Sequence, residues 1–506
     1  MEREKAPKVN LAAFKISREV LRTVPAELLL KHLVVPFDLQ DGRLSLAMDD
    51  PEDASVVDKV RLVCGYECDL FHAPKESILD CLKLCLPELA AAGHVKEFQI
   101  EEGPAGRDGL PREVDIVKAA DKLFEMAVSQ GASDIHIEPQ EHNVFVRFRI
   151  DGILTTIHKF PKSVQAPVTA RIKVLSNMDI TEKRLPQDGQ FSGVVMEKNI
   201  DFRVSTLPGK YGEKVVIRVL DKSSFALELS QLGFEPTVQS MFETLIQKPQ
   251  GLLLVTGPTG SGKTTTLYSV LNRLRSPLKN VITLEDPIEY ELLAGRSNES
   301  GITQVQINPK IGMTFAAGLR SSLRQDPDII MVGEVRDKET AEIAMKASLT
   351  GHLVLSTLHT NDALGTLLRL RDMGIESYLI TSTVIGVLAQ RLVRVICPAC
   401  REPYRVPQKA LKHLFPGAEN QSKEAALYRA KGCEKCHFTG YHGRMGIFEL
   451  LVMTEDLKQL IHSKSSLDGS EDAVCRAVLK TLRESGLDLV RQGVTTVEEV
   501  FRTTAE

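Results

Sequence analysis

Gly257-Pro258-Thr259-Gly260-Ser261-Gly262-Lys263-Thr264 follows an apolar run at 252–255, and Thr265 opens a segment with the pattern of a helix. The stretch matches the phosphate-binding pattern G-x-x-x-x-G-K-[ST] in the strand–loop–helix context that this pattern requires. Its glycines let the backbone curl so that successive N–H groups point at one anion. Lys263 can then reach the β- and γ-phosphates, and the Thr264 hydroxyl can hold Mg²⁺. We therefore predict that residues 257–265 bind a nucleoside triphosphate.

The size and composition of the chain are those of a multidomain globular protein. It has 506 residues, enough for three or four domains, and its hydrophobic content of 43% is ordinary for packed cores. No apolar run approaches the roughly 18 residues of a membrane helix, and the charged N-terminus lacks a signal-peptide pattern. We therefore expect a cytoplasmic protein. The net charge of −4 gives no overall basic signature, which speaks against nucleic acid as a partner.

Three further strand-like apolar runs end in polar residues, at 281–284, 329–332 and 353–356. In an open parallel α/β sheet, ligands bind outside the carboxyl ends of the strands. We therefore expect these ends to meet the phosphate loop around the bound triphosphate, although they are far apart in sequence.

The polar residues beside these runs suggest roles in hydrolysis. Glu334 follows a strand at a position from which a carboxylate reaches Mg²⁺ directly or through water. Glu285 or Asp286 could orient or deprotonate the attacking water. His352 or His359 could sense or stabilise charge at the γ-phosphate, although a structural role is the ordinary explanation for a single histidine.

Several arginines fall on strand patterns that follow a predicted helix at 114–128. Arg147 and Arg149 should share one face of a strand, opposite Val146, Phe148 and Ile150, and Arg203 and Arg218 lie on two later strand patterns. Any single one of these arginines can be explained as a side chain on a solvent-exposed sheet face. Several arginines in a domain tethered to a phosphate loop also fit donation to the nucleotide's charge, and both explanations stay open.

The nine cysteines suggest metal ligands or reduced thiols rather than disulfides. Two C-x-x-C pairs form the four-thiolate pattern of a structural zinc site, although the loop between them is longer than usual. These are Cys397 with Cys400 and Cys433 with Cys436. Near the N-terminus, Cys64 and Cys68, and Cys81 and Cys85, are each four apart. Burial on a helix face is the favoured explanation there over a second metal site.

The motifs together resemble the bacterial ATPases of type II secretion and type IV pilus assembly. The resemblance covers about residues 113–506 and rests on the runs at 134–139, 147–152, 257–266, 285–289, 323–334 and 349–361. It implies an α/β protein with a RecA-like P-loop motor domain, a preceding α+β (PAS-like) domain, a small N-terminal α/β domain and a tetracysteine zinc subdomain. The boundaries expected are 1–90, 91–112 (a linker), 113–228, 229–396, 397–440 and 441–506.

The same resemblance implies how the protein works. It predicts a homohexameric ring that holds ATP between the second and the motor domains, with Arg203 and Arg218 reaching the phosphates. Hydrolysis would move one domain against the other and drive a polytopic inner-membrane platform protein that assembles pilin-like filaments. The N-terminal domain would dock the cytoplasmic part of a single-pass inner-membrane protein, which would attach the ring to the membrane peripherally. ATP, Mg²⁺ and Zn²⁺ are the expected cofactors.

The function that we expect is an ATPase motor for type II secretion, and three alternatives stay open. The paired C-x-x-C insertion resembles the secretion and pilus-extension branches, so a pilus assembly ATPase is the main rival. The short N-terminal region resembles the secretion branch and lacks a complete cyclic-di-GMP motif. A DNA translocase would show hydrolysis stimulated by nucleic acid and steep salt dependence. A non-hydrolysing scaffold would lack Lys263, Glu285 or Glu334, all of which are present.

Overall fold

The computed structural model describes residues 67–90, 116–221, 227–292, 301–405, 426–437, 439–462 and 477–504 without a break, together with parts of 6–60. Its contacts divide the chain into two compact units, Met1–Ser223 and Ser224–Glu506. The linker predicted at 91–112, Cys64 and the side chain of Cys85 lie outside the described residues. None of the helices in the described part of the chain is long and apolar enough to cross a membrane.

The N-terminal part of the first unit is a small α/β arrangement. Its elements are α1 (Arg18–Leu21), β1 (Val34–Gln40), β2 (Arg43–Met48), β3 (Glu67–His72) and α2 (Lys75–Ala90). β2 lies in the middle of the sheet, antiparallel to β1 and parallel to β3. The alternation of apolar residues that predicts a strand at 44–48 is confirmed, because Leu44 and Leu46 are buried. Cys68 is buried in the same apolar core, but the helix predicted for the Cys64–Cys68 pair is wrong at this residue, because Cys68 lies on strand β3.

The second part of the first unit is a six-stranded antiparallel sheet with the strand order β6-β5-β4-β9-β8-β7. Its elements are α3 (Ile116–Ser129), β4 (Ala132–Pro139), β5 (Asn143–Ile150), β6 (Ile153–Pro161), α4 (Gln165–Leu175), β7 (Gln187–Val195), β8 (Lys198–Gly209) and β9 (Gly212–Asp221). One sheet face packs with apolar residues of α3 and α4 in a common core. The helix predicted at 114–128 is confirmed, and it ends before Gly131, whose φ of +65° favours glycine.

The second unit begins with a regular alternation of strands and helices. Its elements up to the cysteine region are α5 (Pro236–Ile246), β10 (Gly251–Thr256), α6 (Lys263–Leu274), β11 (Val281–Glu285), β12 (Ile302–Gln306), α7 (Phe315–Ser322), β13 (Ile329–Val332), α8 (Lys338–Leu349), β14 (Leu353–Leu358), α9 (Ala363–Asp372), α10 (Ser377–Thr383) and β15 (Val384–Ile396). The C-terminal elements are β16 (Arg401–Arg405), β17 (Ala426–Ala430), β18 (Tyr441–Val452), α11 (Glu455–His462), α12 (Leu482–Arg491) and α13 (Val497–Thr504).

The main sheet has seven strands in the order β12-β11-β13-β14-β10-β15-β18. The neighbours from β12 to β15 pair in parallel, and only β18 runs antiparallel, against β15. Helices pack against both faces of the sheet, and an apolar cluster lies on each face. Every residue of β10 is therefore buried. Burial on both faces explains why the strand reads as a continuous apolar run. The parallel strands place their carboxyl ends at one edge of the sheet, as expected.

Candidate nucleotide-binding site

The phosphate loop joins the carboxyl end of β10 to the first turn of α6. Gly257, Gly260 and Gly262 have φ values of 148°, 79° and 89°, which L-residues with a side chain rarely adopt. No side chain caps the start of α6 at Gly262, so the first N–H groups of that helix have no side-chain acceptor among the described residues. The Ser261 hydroxyl is buried and has no hydrogen-bond partner in the described part of the chain. A loop of this form fits a phosphate group.

Lys263 is the first residue of α6, and its side chain folds back over the phosphate loop. Its Nζ donates to the carbonyl oxygens of Gly257 at 2.7 Å and Pro258 at 3.0 Å. Burial lowers the pKa of Lys263 to about 8; Glu334 opposes this shift, and Arg391 adds to it. A desolvated lysine gains stability from an anion, because an opposite charge favours its protonated form. The loop therefore has a cation whose electrostatics match a phosphate.

Glu334 and His359 meet beside the loop, although they follow different strands. The Nε2 atom of His359 is 3.8 Å from the Glu334 carboxylate. Arg336 also contacts Glu334, and its Nη1 atom is 3.9 Å from Asp286. Burial and the charge of Lys263 hold the pKa of His359 below its ordinary value, against the opposing effect of Glu334. This shift favours the uncharged form of the His359 imidazole, which can donate or accept a hydrogen bond.

Glu285 is part of a buried polar network rather than of the open edge. Its side chain accepts from the Tyr268 hydroxyl, from Thr283 Oγ1 at 2.6 Å and from Gln304 Nε2 at 3.0 Å. The residue is only 3% exposed. Burial is the leading reason why the pKa of Tyr268 is raised, and the Glu285 carboxylate adds to it. This environment suits a structural acceptor, whereas Asp286 is exposed.

His352 lies at the sheet edge opposite the phosphate loop, so the expectation that it lies beside the loop is wrong. It precedes β14, and its carbonyl accepts from the N–H of Gly251, the first residue of β10. Strand β14 separates it from His359 by six residues, or about 20 Å. Its Nδ1 atom is 2.8 Å from Ala347 O at the end of α8. Ligands bind at the carboxyl ends of parallel strands, whereas His352 lies at the amino end of β14. Within one chain its side chain therefore contacts the C-terminal turn of α8 instead.

Gln390 forms the floor of the phosphate loop and is a residue that sequence reasoning missed. A Cβ atom added to Gly257 would lie 2.5 Å from Gln390 O, and one added to Gly262 would lie 2.7 Å from Gln390 Nε2. Thr266 Oγ1 donates to Gln390 Oε1 at 2.7 Å. The available signal is the polar pair Gln390-Arg391, which interrupts the apolar run of β15 after Ala389. A buried glutamine at that position contacts the loop that needs glycine.

The predicted arginines lie on the polar face of the six-stranded sheet in the first unit. Cross-strand pairs place Arg149, Asp134, Arg218 and Arg203 in one row. Arg218 Nε donates to Asp134 at 3.3 Å, and Arg149 Nε is 3.6 Å from the same carboxylate. The opposite face holds Val146 and Phe148, which are buried, so the expected alternation is confirmed. Asp134 is mostly buried, and it forms ion pairs with Arg149 and Arg218.

A second group on that face is centred on Glu138. Lys214 Nζ is 2.7 Å from Glu138, and Arg147 also forms an ion pair with it. His136 Nδ1 is 3.5 Å from the same carboxylate. Burial lowers the pKa of His136, and the charge of Lys214 adds to this effect. The face therefore has more cations than carboxylates and fits an anionic partner.

The four predicted zinc ligands converge in one cluster. The Sγ atoms of Cys397, Cys400, Cys433 and Cys436 all lie within 4.8 Å of one another. Three Sγ–Sγ distances are 3.8–3.9 Å. Zn–S bonds of about 2.3 Å in a tetrahedron place sulfur atoms about 3.8 Å apart, so the cluster fits a zinc ion.

The backbone around Cys436 favours a thiolate. The N–H groups of Cys433 and Gly440 both donate to its Sγ at 3.2 Å. Burial opposes ionisation, but these donors and the neighbouring thiols of Cys433 and Cys400 lower the pKa of Cys436, while burial raises the pKa of Cys400. Because thiolates rather than thiols bind metal, this environment also fits zinc.

Comparison with known families gives two matches. The model of the type II/IV secretion system protein family matches residues 112–502, and the model of the MshEN domain matches residues 5–92. The first match includes the phosphate loop, Glu334, His359 and the four clustered cysteines.

Curated relatives extend these matches. The chain is 49% identical to the type II secretion system ATPase E of Vibrio cholerae over 409 residues, which are 80% of this chain and 79% of that protein. It is 42% identical to the type IV pilus assembly ATPase PilB of Myxococcus xanthus over an alignment of 517 residues, which covers 99% of this chain and 89% of that protein.

Solved structures share the fold. The pilus retraction motor PilT with bound ADP aligns with a TM-score of 0.50 at 26% identity, covering 76% of this chain and 97% of that one. The ATPase DotB of Legionella pneumophila aligns with a TM-score of 0.58 at 21% identity, covering 78% of this chain and 96% of that one. The expected α/β fold with a RecA-like motor domain is confirmed.

Proposed function

Because this chain belongs to the type II/IV secretion system protein family and is an ATP-hydrolysing P-loop enzyme, we propose that it is the motor of a type II secretion system. One observation carries the proposal. The phosphate loop, Glu334 and His359 meet at one sheet edge in a chain that is 49% identical to a type II secretion ATPase over most of its length. The work expected of such a motor is the assembly of pilin-like filaments.

Different residues at this sheet edge bind the phosphates, hold the metal ion and stabilise the charge that develops during hydrolysis. The N–H groups of residues 259–264 and the Lys263 ammonium bind the β- and γ-phosphates. Thr264 and Glu334 would hold Mg²⁺, which supplies charge neutralisation on the phosphate oxygens. His359 lies beside Glu334 and can stabilise charge that develops at the γ-phosphate.

The residue that acts on the attacking water must have an accessible carboxylate. Glu285 accepts hydrogen bonds from the buried side chains of Tyr268 and Thr283 and from the partly buried Gln304, so both of its oxygen atoms are engaged. We infer that Asp286 or Glu289, which follow it in the same segment and are less buried, orients or deprotonates the water. Glu285 instead fixes the start of that segment.

We assign Arg203 and Arg218 to the nucleotide as well. Both lie on the cation-rich face, where Asp134 holds Arg218. A γ-phosphate offers the same charge-assisted hydrogen bonds as Asp134, so the guanidinium group would exchange one oxyanion for the other. Such an exchange would move the arginine-bearing domain when ATP is bound or cleaved.

The wider assembly is part of the same proposal. We infer a homohexameric ring in the cytoplasm that binds no nucleic acid. Its N-terminal domain, residues 1–90, would dock a single-pass inner-membrane protein, and its motor domains would act on a polytopic platform protein. The cluster of Cys397, Cys400, Cys433 and Cys436 would form a zinc-binding subdomain that supports the motor domain.

Assembly of a type IV pilus is a second candidate, favoured by one observation. The similarity to the pilus assembly ATPase of Myxococcus xanthus covers 99% of the chain, whereas the match to the type II secretion ATPase of Vibrio cholerae covers 80%. The two functions require different membrane partners. Pull-down of the intact protein with the cytoplasmic domains of either machinery, followed by ATPase measurement, separates them.

Substitutions in the phosphate site test the proposed activity. Lys263→Ala should abolish ATP turnover and secretion, whereas Lys248→Ala, an exposed lysine before β10, should retain both. Glu334→Gln should trap ATP without hydrolysis. Full turnover by Lys263→Ala would refute the assignment of the phosphate loop, and normal rates in Glu334→Gln would remove the role given to that carboxylate.

A further inference from the structure

Gln390 and Arg391 lie beside the phosphate loop because β15 is longer than its neighbour. β10 and β15 pair in parallel, with Thr256 opposite Ala389. β10 ends at Thr256, whereas β15 continues to Ile396. The two residues after Ala389 therefore extend beyond the sheet edge at which the phosphate loop begins.

Arg391 holds the segment that carries His359. Its Nη2 atom donates to the carbonyl oxygen of Asn361 at 2.8 Å and lies 3.4 Å from the Asn361 Oδ1 atom. Asn361 is two residues after His359, which approaches Glu334. A displacement of the guanidinium group would thus be transmitted along a short piece of backbone to His359.

The same segment is also attached to the strand before the phosphate loop. The N–H of Thr360 donates to Thr256 Oγ1 at 3.0 Å, and the two threonine hydroxyls are 2.6 Å apart. Residues 359–362 are therefore held by β10 on one side and by Arg391 of β15 on the other. Both attachments adjoin the phosphate loop.

The charge of Arg391 has no ion-pair partner in the described part of the chain. Asp362 and Glu449 act on it from more than 4.0 Å, but their carboxylates accept from the N–H groups of Gly365 at 2.6 Å and Ala363 at 2.8 Å. Arg391 is partly buried, and this burial holds the pKa of its guanidinium below the ordinary value. A partly buried guanidinium without a carboxylate partner is stabilised by an anion that enters its vicinity.

We propose that Arg391 is a positioning residue that couples the phosphate charge in the loop to residues 359–362, and thereby sets His359 against Glu334. This inference rests on the proposed binding of ATP at the phosphate loop. The γ-phosphate adds negative charge that ADP lacks, so ATP attracts the guanidinium more strongly. Because Arg391 carries Asn361 with it, the position of His359 depends on which nucleotide is bound.

The test compares Arg391→Gln with the intact chain and with a matched control. Arg429→Gln removes an exposed arginine on β17, a strand outside the main sheet, and should leave all constants unchanged. In Arg391→Gln we expect kcat to fall about 10- to 100-fold, the loss typical of a charge-assisted hydrogen bond, and the KM for ATP to rise because the attraction to the γ-phosphate is lost. The affinity for a fluorescent ADP should stay within about threefold, while the preference for a non-hydrolysable ATP analogue over ADP should disappear.

Two further variants test separately the charge of Arg391 and the side chain of Asn361. Arg391→Lys keeps the charge and should recover part of the discrimination between the nucleotides. Asn361→Ala keeps the carbonyl acceptor and should lose less activity than Arg391→Gln. If Arg391→Gln is poorly folded, Arg391→Met, which also removes the charge, replaces it in the same measurements.

Two outcomes would overturn the inference. One is unchanged kcat and unchanged nucleotide preference in the Arg391 variants. The other is a parallel fall in the affinities for both nucleotides and in the melting temperature, which would mean that Arg391 only supports the fold. Failure of the proposed function looks different, because the intact chain itself would then not hydrolyse ATP or Lys263→Ala would still do so.

Discussion

The buried hydrogen bond between Tyr268 and Glu285 leads to a quantitative prediction for Tyr268→Phe. The hydroxyl is one of three side-chain donors to a carboxylate that is 3% exposed. Its loss removes no carbon atom, so the main cost is the missing charge-assisted hydrogen bond, about 2 kcal/mol. For a unit of this size, that loss should lower the melting temperature by about 4–8 °C.

Differential scanning calorimetry measures the effect on the motor unit. The chain has more than one unit, so the relevant transition is the one that shifts upward when ADP is added. Tyr378→Phe is the matched control, because it removes the same atom from a residue that is 60% exposed. The control should melt within about 1 °C of the unchanged protein, the range usual for an exposed substitution.

A double-mutant cycle isolates the bond itself. Glu285→Gln alone and in combination with Tyr268→Phe should show a coupling energy of about 1.5–3 kcal/mol. Additive losses, or a Tyr268→Phe protein that melts like the control, would refute the structural role of Glu285. Glu285 would then again be a candidate for the residue that acts on the water.

Three further predictions concern charge, position and metal. The pKa of Lys263 is lowered to about 8 in the folded chain, against about 10.4 when unfolded. Its charge therefore costs stability below pH 8, and this cost disappears as the pH rises towards 10.4. Without added nucleotide, Lys263→Met should melt higher than the unchanged protein at pH 7, and a difference that does not shrink by pH 10 would contradict the shift. His359→Gln should lower kcat at least roughly tenfold whereas His352→Gln should stay within about threefold, and equal losses in steady-state assays would contradict their separation by β14. Cys433→Ser should release about one zinc ion per chain by atomic absorption whereas Cys68→Ser should retain it, and an intact protein without zinc would rule out the site.

The parts of the site that the sequence predicts are those set by local spacing or by strand direction. The phosphate loop needs only its own glycines and the neighbouring strand and helix, so its pattern is sufficient. The two C-x-x-C pairs each provide the correct spacing of two sulfur atoms, and the fold has only to bring the pairs together. Glu334 and His359 converge because each follows a parallel strand.

The remaining parts depend on facts that a pattern does not contain. His352 and His359 flank the same apolar run, but only the residue after the run lies at the ligand edge. Glu285 and Asp286 are adjacent acids, yet Glu285 is still a strand residue and its side chain is buried, whereas Asp286 is exposed. Gln390 contacts the loop because of the length and register of β15, a pairing between distant segments.

The contacts of Lys263 make its binding of a phosphate an exchange of partners rather than the addition of a new contact. Its Nζ atom already donates to two carbonyl oxygens of the loop, those of Gly257 and Pro258. A phosphate oxygen must therefore replace an existing hydrogen bond, so the lysine contributes less to the affinity for ATP than a newly formed charge-assisted bond would. Burial of the ammonium opposes this reduction, because a partly desolvated cation gains more from a charged acceptor than from a neutral carbonyl.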